Sequence, residues 1–289
     1  MKELEIRKEK MLEMFKAFIA ICEKHNLSYF CHAGTALGVV RHRGFIPWDD
    51  DIDVLMPRKD YEKLVIIFNE NPNNELELIV PGVDQKYYLS FAKICDKNSS
   101  LLEFKHIPFV LGVYIDIFPF DGASDDFYIR EQDCFSFRRE ANKLMILPKP
   151  ILENFKWFFK RLINFQLRTA KNELVYSFNK KKKFKRTYEK LNEITKRHAY
   201  DESNFVGSYE TYYGGKAFWP KKYFETYVAG EFEGITVRLP AGYKEVLTTL
   251  YGDYMELPPK EMRVTHHDIA FLDLNKRISY NEIKKKLQA

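Results

Sequence analysis

At 289 residues, 45% of them hydrophobic and 16% aromatic, the chain can build a sizeable core as one large domain or two small ones, which excludes a disordered chain. Cys22, Cys31, Cys95 and Cys134 form no C-x-x-C pair and have no histidine at zinc-finger spacing, so a reduced, cytoplasmic protein is expected. The net charge of +5 conceals an asymmetry, because residues 154–198 carry fourteen Lys or Arg against three Glu, and that one segment suits an anionic partner.

The first residues, Met1-Lys2-Glu3-Leu4-Glu5, are charged and lead into a helical pattern, unlike a signal peptide. Apolar residues at Leu12, Phe15, Phe18, Ile19 and Cys22 predict an amphipathic helix over 4–23. Residues 29–33 read as a short buried strand, Gly34 as a turn, 35–42 as a short helix and Gly44 as its stop. An aspartate-bearing strand follows, then a helix over 58–69 and strands over 76–80, 88–95 and 110–118. The longest apolar run, 107–115, ends at Asp116 and is too short to span a bilayer, so any membrane contact is peripheral. Residues 125–147 and 154–198 read as helical, with Pro148 and Pro150 between them, and 243–250 as a further helix. This order predicts an α/β (α+β) fold, a mixed sheet flanked by helices with a helical insertion or cap. The expected division is a core over 1–147, a basic helical insertion over 148–206 and a C-terminal part over 207–289 that packs back on the core.

The chemistry concentrates at Gly34-Thr35 and, fifteen residues on, Asp51-Ile52-Asp53-Val54. Side chains alternate across a pleat, so Asp51 and Asp53 share a face, joined by Asp49 if the strand reaches that far, while Asp50 turns away. Like charges this close are costly without a cation. A glycine turn entering a helix presents free backbone N–H groups that favour phosphate. The apolar flanks, Phe45, Ile46 and Trp48 before and Val54, Leu55 and Met56 after, argue against a solvated acidic loop. An EF-hand fails, because its sixth position would be Val54 and its twelfth Asp60. Asp116 inside an apolar strand would cost several kcal/mol, on the order of 2–7, if left unpaired, and a metal or a hydrogen-bonded turn would each explain it. Arg41 and Arg43 suit either phosphate or the helix dipole, and Lys93 a phosphate contact. His266 and His267 suit a proton relay or a structural role. Trp48, Tyr212, Tyr213 and Trp219 are candidates for a quaternary-ammonium cage or for the core.

The run from His32 through Gly34, Thr35, Arg41, Trp48 and Asp49 to Asp53-Val54 resembles the signature of the LicD family of phosphocholine transferases, relatives of fukutin in the nucleotidyltransferase superfamily. Val113-Tyr-Ile-Asp-Ile-Phe-Pro-Phe-Asp121 is similar to that family's second block, and Tyr251-Gly-Asp-Tyr-Met-Glu-Leu-Pro-Pro259, with Arg263, His266 and His267, to its C-terminal block. The resemblance implies a sheet on which Asp51, Asp53 and Asp116, with Asp49 as a further candidate, bind Mg2+ or Mn2+ as two ions, beside a phosphate-binding turn at Gly34-Thr35. It implies transfer of phosphocholine from CDP-choline to a sugar hydroxyl of a cell-envelope glycan precursor of the teichoic acid type, with release of CMP. Thr35, where the superfamily carries Gly or Ser, and the fifteen-residue spacing depart from its pattern. Rival readings are the same fold with another CDP-activated donor such as a CDP-alditol, or an inactive nucleotide- or choline-binding protein; no nucleic-acid partner is expected. Phe155, Phe158, Phe159, Leu162 and Phe165, with Lys156, Lys160, Arg161 and Arg168 around them, predict a helix face suited to an anionic membrane or to packing on the catalytic part. A peripheral place at the inner face of the membrane, beside a lipid-linked acceptor, would follow.

Overall fold

The computed structural model describes residues 2–265, 267 and 269–288. Helix α1 (Lys2–Lys24) places Met11, Met14, Phe15, Phe18 and Cys22 on one buried stripe. After it come β1 (Phe30–Cys31), α2 (Ala33–His42), β2 (Asp53–Pro57), α3 (Arg58–Glu70), β3 (Leu76–Ile79), β4 (Ala92–Asp96), β5 (Ser100–Leu102) and β6 (Tyr114–Ala123). Four helices follow, α4 (Phe127–Leu144), α5 (Ile151–Ile163), α6 (Leu167–Tyr176) and α7 (Lys180–Thr195). The chain ends with β7 (Phe205–Gly207), β8 (Phe218–Pro220), a hairpin of β9 (Tyr227–Phe232) and β10 (Ile235–Pro240), α8 (Tyr243–Tyr251), β11 (Phe271–Asp273) and α9 (Tyr280–Lys286).

The main sheet runs β1-β2-β6-β4-β3, with β2 and β6 parallel and the other pairs antiparallel. The end of β6 pairs onward with β7, and β7 with β8. This is the mixed sheet flanked by helices that the element order predicts. Alternation sorts the strands' residues between two covered faces. Val54, Met56, Ile115 and Ile117 join the α1 side chains in one core, whereas Leu55 and Phe120 pack with Trp219, Phe224 and Val246 in another. Each fully buried Phe or Leu contributes about 1.5–3 kcal/mol.

Three expectations are corrected. The turn before α2 is made by Ala33, whose φ of 43° is left-handed, so Gly34 lies inside the first helical turn. Strand β2 starts only at Asp53, and residues 49–52 lead into it as irregular chain, tied to β6 by the Asp116 N–H to Ile52 carbonyl hydrogen bond. Residues 154–198 are helical as expected, in parts of three helices, but the expected apolar face is not continuous: α5 ends at Ile163, before Phe165, and Phe159, Leu162 and Phe165 are exposed while Phe155 and Phe158 are half-buried. No helix among the described residues is long and apolar enough to cross a membrane.

Candidate active site

Strand register assembles the acidic floor. Asp53 lies opposite Asp116 in the parallel β2–β6 pair, and Lys93 lies opposite Asp116 in the antiparallel β4–β6 pair. Opposed residues share a face, so two carboxylates and an ammonium are forced together on the side away from α1. Asp51 arrives from the irregular segment before β2, and carboxylate oxygens of Asp51, Asp53 and Asp116 lie within 4.8 Å of one another. Burial, reinforced by Asp51 and Asp116, raises the Asp53 pKa well above the carboxylate range. Burial also raises Asp116, to about 6, against the opposing pull of Lys93. A set of crowded hard oxygen donors fits Mg2+ or Mn2+ rather than a softer metal.

The loop carrying the aspartates is tethered from several sides. Thr35 Oγ1 accepts the Asp53 backbone N–H at 2.8 Å, which explains how a hydroxyl serves at this position. Gly34 is required by close approach rather than by its φ: a Cβ there would stand 2.3 Å from Asp49 Oδ2. Burial, then Asp51, raises the Asp49 carboxyl to about 8. Asp50 does turn away, to a 2.5 Å ion pair with Arg7 of α1 and a 2.9 Å contact with His267 Nδ1. His267 Nε2 is 3.7 Å from Asp51 Oδ2, and the Asp50 hydrogen bond raises the imidazole to about 9.

Lys93, 2% exposed, is fully engaged within the protein. Its Nζ lies 2.6 Å from Asp116 Oδ1, 3.8 Å from Glu103 Oε1 and 3.3 Å from the centre of the Tyr114 ring. Burial works against its charge, but Asp116 and Glu103 outweigh that and raise its pKa. Glu103 accepts from the Tyr114 hydroxyl at 2.5 Å and from the Tyr88 hydroxyl, and its pKa is lowered, since Lys93 and these donors overcome its burial.

Above the floor is a cavity of about 370 Å3. Asp51, Asp53, Asp116 and His267 line it together with His32, Ala33, Tyr212 and Tyr213. The other predicted residues lie elsewhere. Trp219 is buried in the core beside Phe224, and Trp48 sits under the Arg263 guanidinium, 5.5 Å from the ring centre. Arg263 also donates to the Pro258 carbonyl, and Arg41 donates to the carbonyls of Tyr254 and Glu256. The Arg41 bonds dock the C-terminal block onto α2, and the Arg263–Trp48 contact ties it to the loop that follows α2. Arg43 makes the left-handed C-cap of α2, and His266 lies outside the described residues.

Sequence reading missed Arg7, Asp50 as an anchor, Glu103 and the tyrosines Tyr88 and Tyr209, which also line the cavity. Two of these carried a signal. Arg7 falls on the apolar stripe of α1, four residues before Met11, and Glu103 follows Leu101-Leu102 as a lone carboxylate among apolar residues, as Asp116 does.

A mixed sheet bearing paired carboxylates beside a helix N-terminus defines a nucleotidyltransferase-type site. Residues 26–149 match the family model described as LicD/FKTN/FKRP, nucleotidyltransferase domain. The chain is similar to the lipopolysaccharide cholinephosphotransferase LicD of Haemophilus influenzae, at 30% identity over 272 residues, which cover 92% of this chain and 97% of that protein. A 50-residue stretch, 17% of this chain and 19% of the relative, is 38% identical to an uncharacterized protein of Rickettsia prowazekii. The chain belongs to the LicD family.

Proposed function

We propose that this protein is a transferase that moves phosphocholine from CDP-choline to a sugar hydroxyl of a cell-envelope glycan precursor of the teichoic acid type. The observation that supports this most is one cavity with three clustered carboxylates on its floor and tyrosines in its walls, in a relative of a cholinephosphotransferase. The acceptor oxygen would bond to the phosphorus that carries choline. The bond from that phosphorus to the bridging oxygen breaks, CMP leaves with the electron pair, and the hydroxyl proton passes to Asp116. Asp51, Asp53 and Asp116, with Asp49 as a further ligand, would hold Mg2+ or Mn2+ as two ions, which neutralise diphosphate charge when bound.

Lys93 occupies Oδ1 of Asp116 and leaves Oδ2 for the metal or the hydroxyl. The start of α2 at Ala33 offers backbone N–H groups to a phosphate. His267, held by Asp50 beside Asp51, is placed to hydrogen-bond a phosphate oxygen. Tyr212 and Tyr213 present π-faces to a trimethylammonium group, each cation–π contact contributing about 0.5–2 kcal/mol. The apolar turn between α5 and α6, with Phe165 90% exposed and Lys156 and Lys160 on the helix before it, suits the anionic inner face of a membrane carrying a lipid-linked acceptor.

Incubation with CDP-choline and a glycan acceptor should release CMP in a magnesium-dependent manner, assayed beside a panel of CDP-alditols. Release from a CDP-alditol but not from CDP-choline would reassign the donor. Release from neither would remove the catalytic reading.

A further inference from the structure

A second cavity, of about 870 Å3, lies between α4, α5 and α6. Arg138, Arg139, Lys143, Lys149, Arg161 and Arg168 line it, and no carboxylate does among the described residues. Two carboxylates stand behind these six cations. Glu140 pairs with Lys143 at 2.5 Å and Arg139 at 3.7 Å, and Glu173 pairs with Lys149 at 3.0 Å and Arg161 at 3.2 Å. The groove therefore keeps an excess of positive charge after its own pairs are made.

Part of this charge is fixed in place rather than solvated. Lys149 is 4% exposed and Glu173 is fully buried, although exposed pairs are far less costly to maintain. The Trp157 ring gathers Lys149 and Lys160, each 4.8 Å from its centre, and Arg161 at 5.4 Å. His106, also in the wall, has its pKa lowered by burial and then by Lys149, in keeping with a positive local potential. The groove adjoins the catalytic cavity, since Arg138, Asn142 and Met145 line both.

We propose that this groove binds an anionic, phosphate-bearing stretch of the glycan acceptor while the acceptor's hydroxyl reaches the aspartate floor. The proposal rests on the glycan-transfer reading and adds the acceptor's charge and path. Donor phosphates belong instead at the carboxylates, where a metal can neutralise them, so donor and acceptor anions have separate places. Six cations with only two carboxylates behind them suit repeated phosphates, and a neutral oligosaccharide has nothing with which to answer the excess charge.

Equilibrium binding to the full chain, without turnover, tests this. The probes are a short glycerol-phosphate oligomer, a neutral oligosaccharide of similar length, anionic lipid vesicles, single-stranded RNA and CDP-choline. The glycerol-phosphate oligomer should bind, more weakly at raised salt. The Arg139→Ala/Arg168→Ala pair, both at exposed positions outside the catalytic cavity, should weaken it roughly tenfold, and the Arg139→Lys/Arg168→Lys pair should recover part of that. CDP-choline affinity should not change in either. Equal binding of the neutral oligosaccharide, parental binding by the alanine pair, or loss of CDP-choline affinity in its place would overturn the proposal. Stronger competition by RNA or by the vesicles would also overturn it, giving the groove to nucleic acid or to lipid headgroups. Because no turnover is read, absence of CMP release would count against the catalytic reading and leave this result separately legible.

Discussion

The acidic floor and the basic helices both crowd like charges, but they do so under opposite constraints. On the floor, sheet register leaves Asp53, Asp116 and Lys93 no freedom to move apart, and Asp116 and Lys93 are buried. In α5 to α7 most cations end in solvent, as Lys156 and Lys185 do, with side chains 72% and 80% exposed. Placement by register carries a large electrostatic penalty that only specific partners relieve, whereas placement on a helix surface carries little. A charge removed from the floor should therefore register strongly, and one removed from a helix surface weakly.

The largest effect is expected at the proposed metal ligands. Asp51→Asn and Asp53→Asn should each reduce CMP release more than about a hundredfold, beyond the usual loss for an outer partner of a metal site. Thermal denaturation of the metal-free variants should be equal to or above the parent's, since a crowded negative charge is gone. Magnesium with nucleotide should raise the melting temperature of the parent only. Parental activity in Asp51→Asn would break the assignment of this floor to catalysis. Lys93→Met comes next: it strands Asp116 and Glu103 in a buried site and should cost about 3–5 kcal/mol in denaturant unfolding. A cost near zero would mean that the floor carries no more charge strain than the helices.

Lys149→Met sharpens the comparison, because it lies in the basic region yet is buried. The loss should be about 3 kcal/mol, below that at Lys93, because Arg161 stays on Glu173. Such a result would make burial, and not the sign of the charge, the deciding variable. A loss below about 0.5 kcal/mol would place Lys149 with the solvated cations instead.

What was readable from the chain follows the same division. Asp51, Asp53 and Asp116 stood out because period-2 spacing and apolar flanks are local, and the sheet and the first helices follow from equally local patterns. Asp50 was legible only as a residue that turns away, since its partners Arg7 and His267 lie 43 and 217 residues distant. The sequence suggests a phosphate contact for Lys93, because nothing in β4 alone reveals that Asp116 and Glu103 already hold it. The left-handed Ala33 was unreadable because tertiary packing, not the residue's own preference, imposes that φ. Of the candidate cage, Tyr212 and Tyr213 reach the cavity while Trp48 and Trp219 do not, a difference in packing partners that composition does not encode.

Glu210 supplies a smaller and pH-dependent effect at the cavity wall. Burial raises its pKa from 4.5 to about 7, with Ser90 and Arg58 opposing, and its Oε1 has no hydrogen-bond partner. A folded-state pKa above the unfolded one means that the fold holds a proton the unfolded chain releases. The cost of the charge then grows as pH rises from the unfolded pKa to the folded one and is fully present above it. Glu210→Gln should accordingly gain on the order of 1 kcal/mol at about pH 8 and converge with the parent below about pH 4.5. A gain that is constant with pH would show that packing, and not charge, is responsible.

The smallest effect is expected where the basic helices meet water. Lys185 and Glu189 form a 3.9 Å pair one turn apart on α7, with side chains 80% and 64% exposed. Each side chain loses rotamer freedom to hold that geometry, and solvent screens what is gained, so the pair stabilises little. Lys185→Ala should change unfolding free energy by less than about 0.5 kcal/mol, a shift that alanine's higher helix propensity partly offsets. Raised salt should abolish any difference from the parent that remains. A loss above about 2 kcal/mol, insensitive to salt, would mean that α7 depends on its cations as the floor depends on Lys93, and the contrast between the two regions would fail.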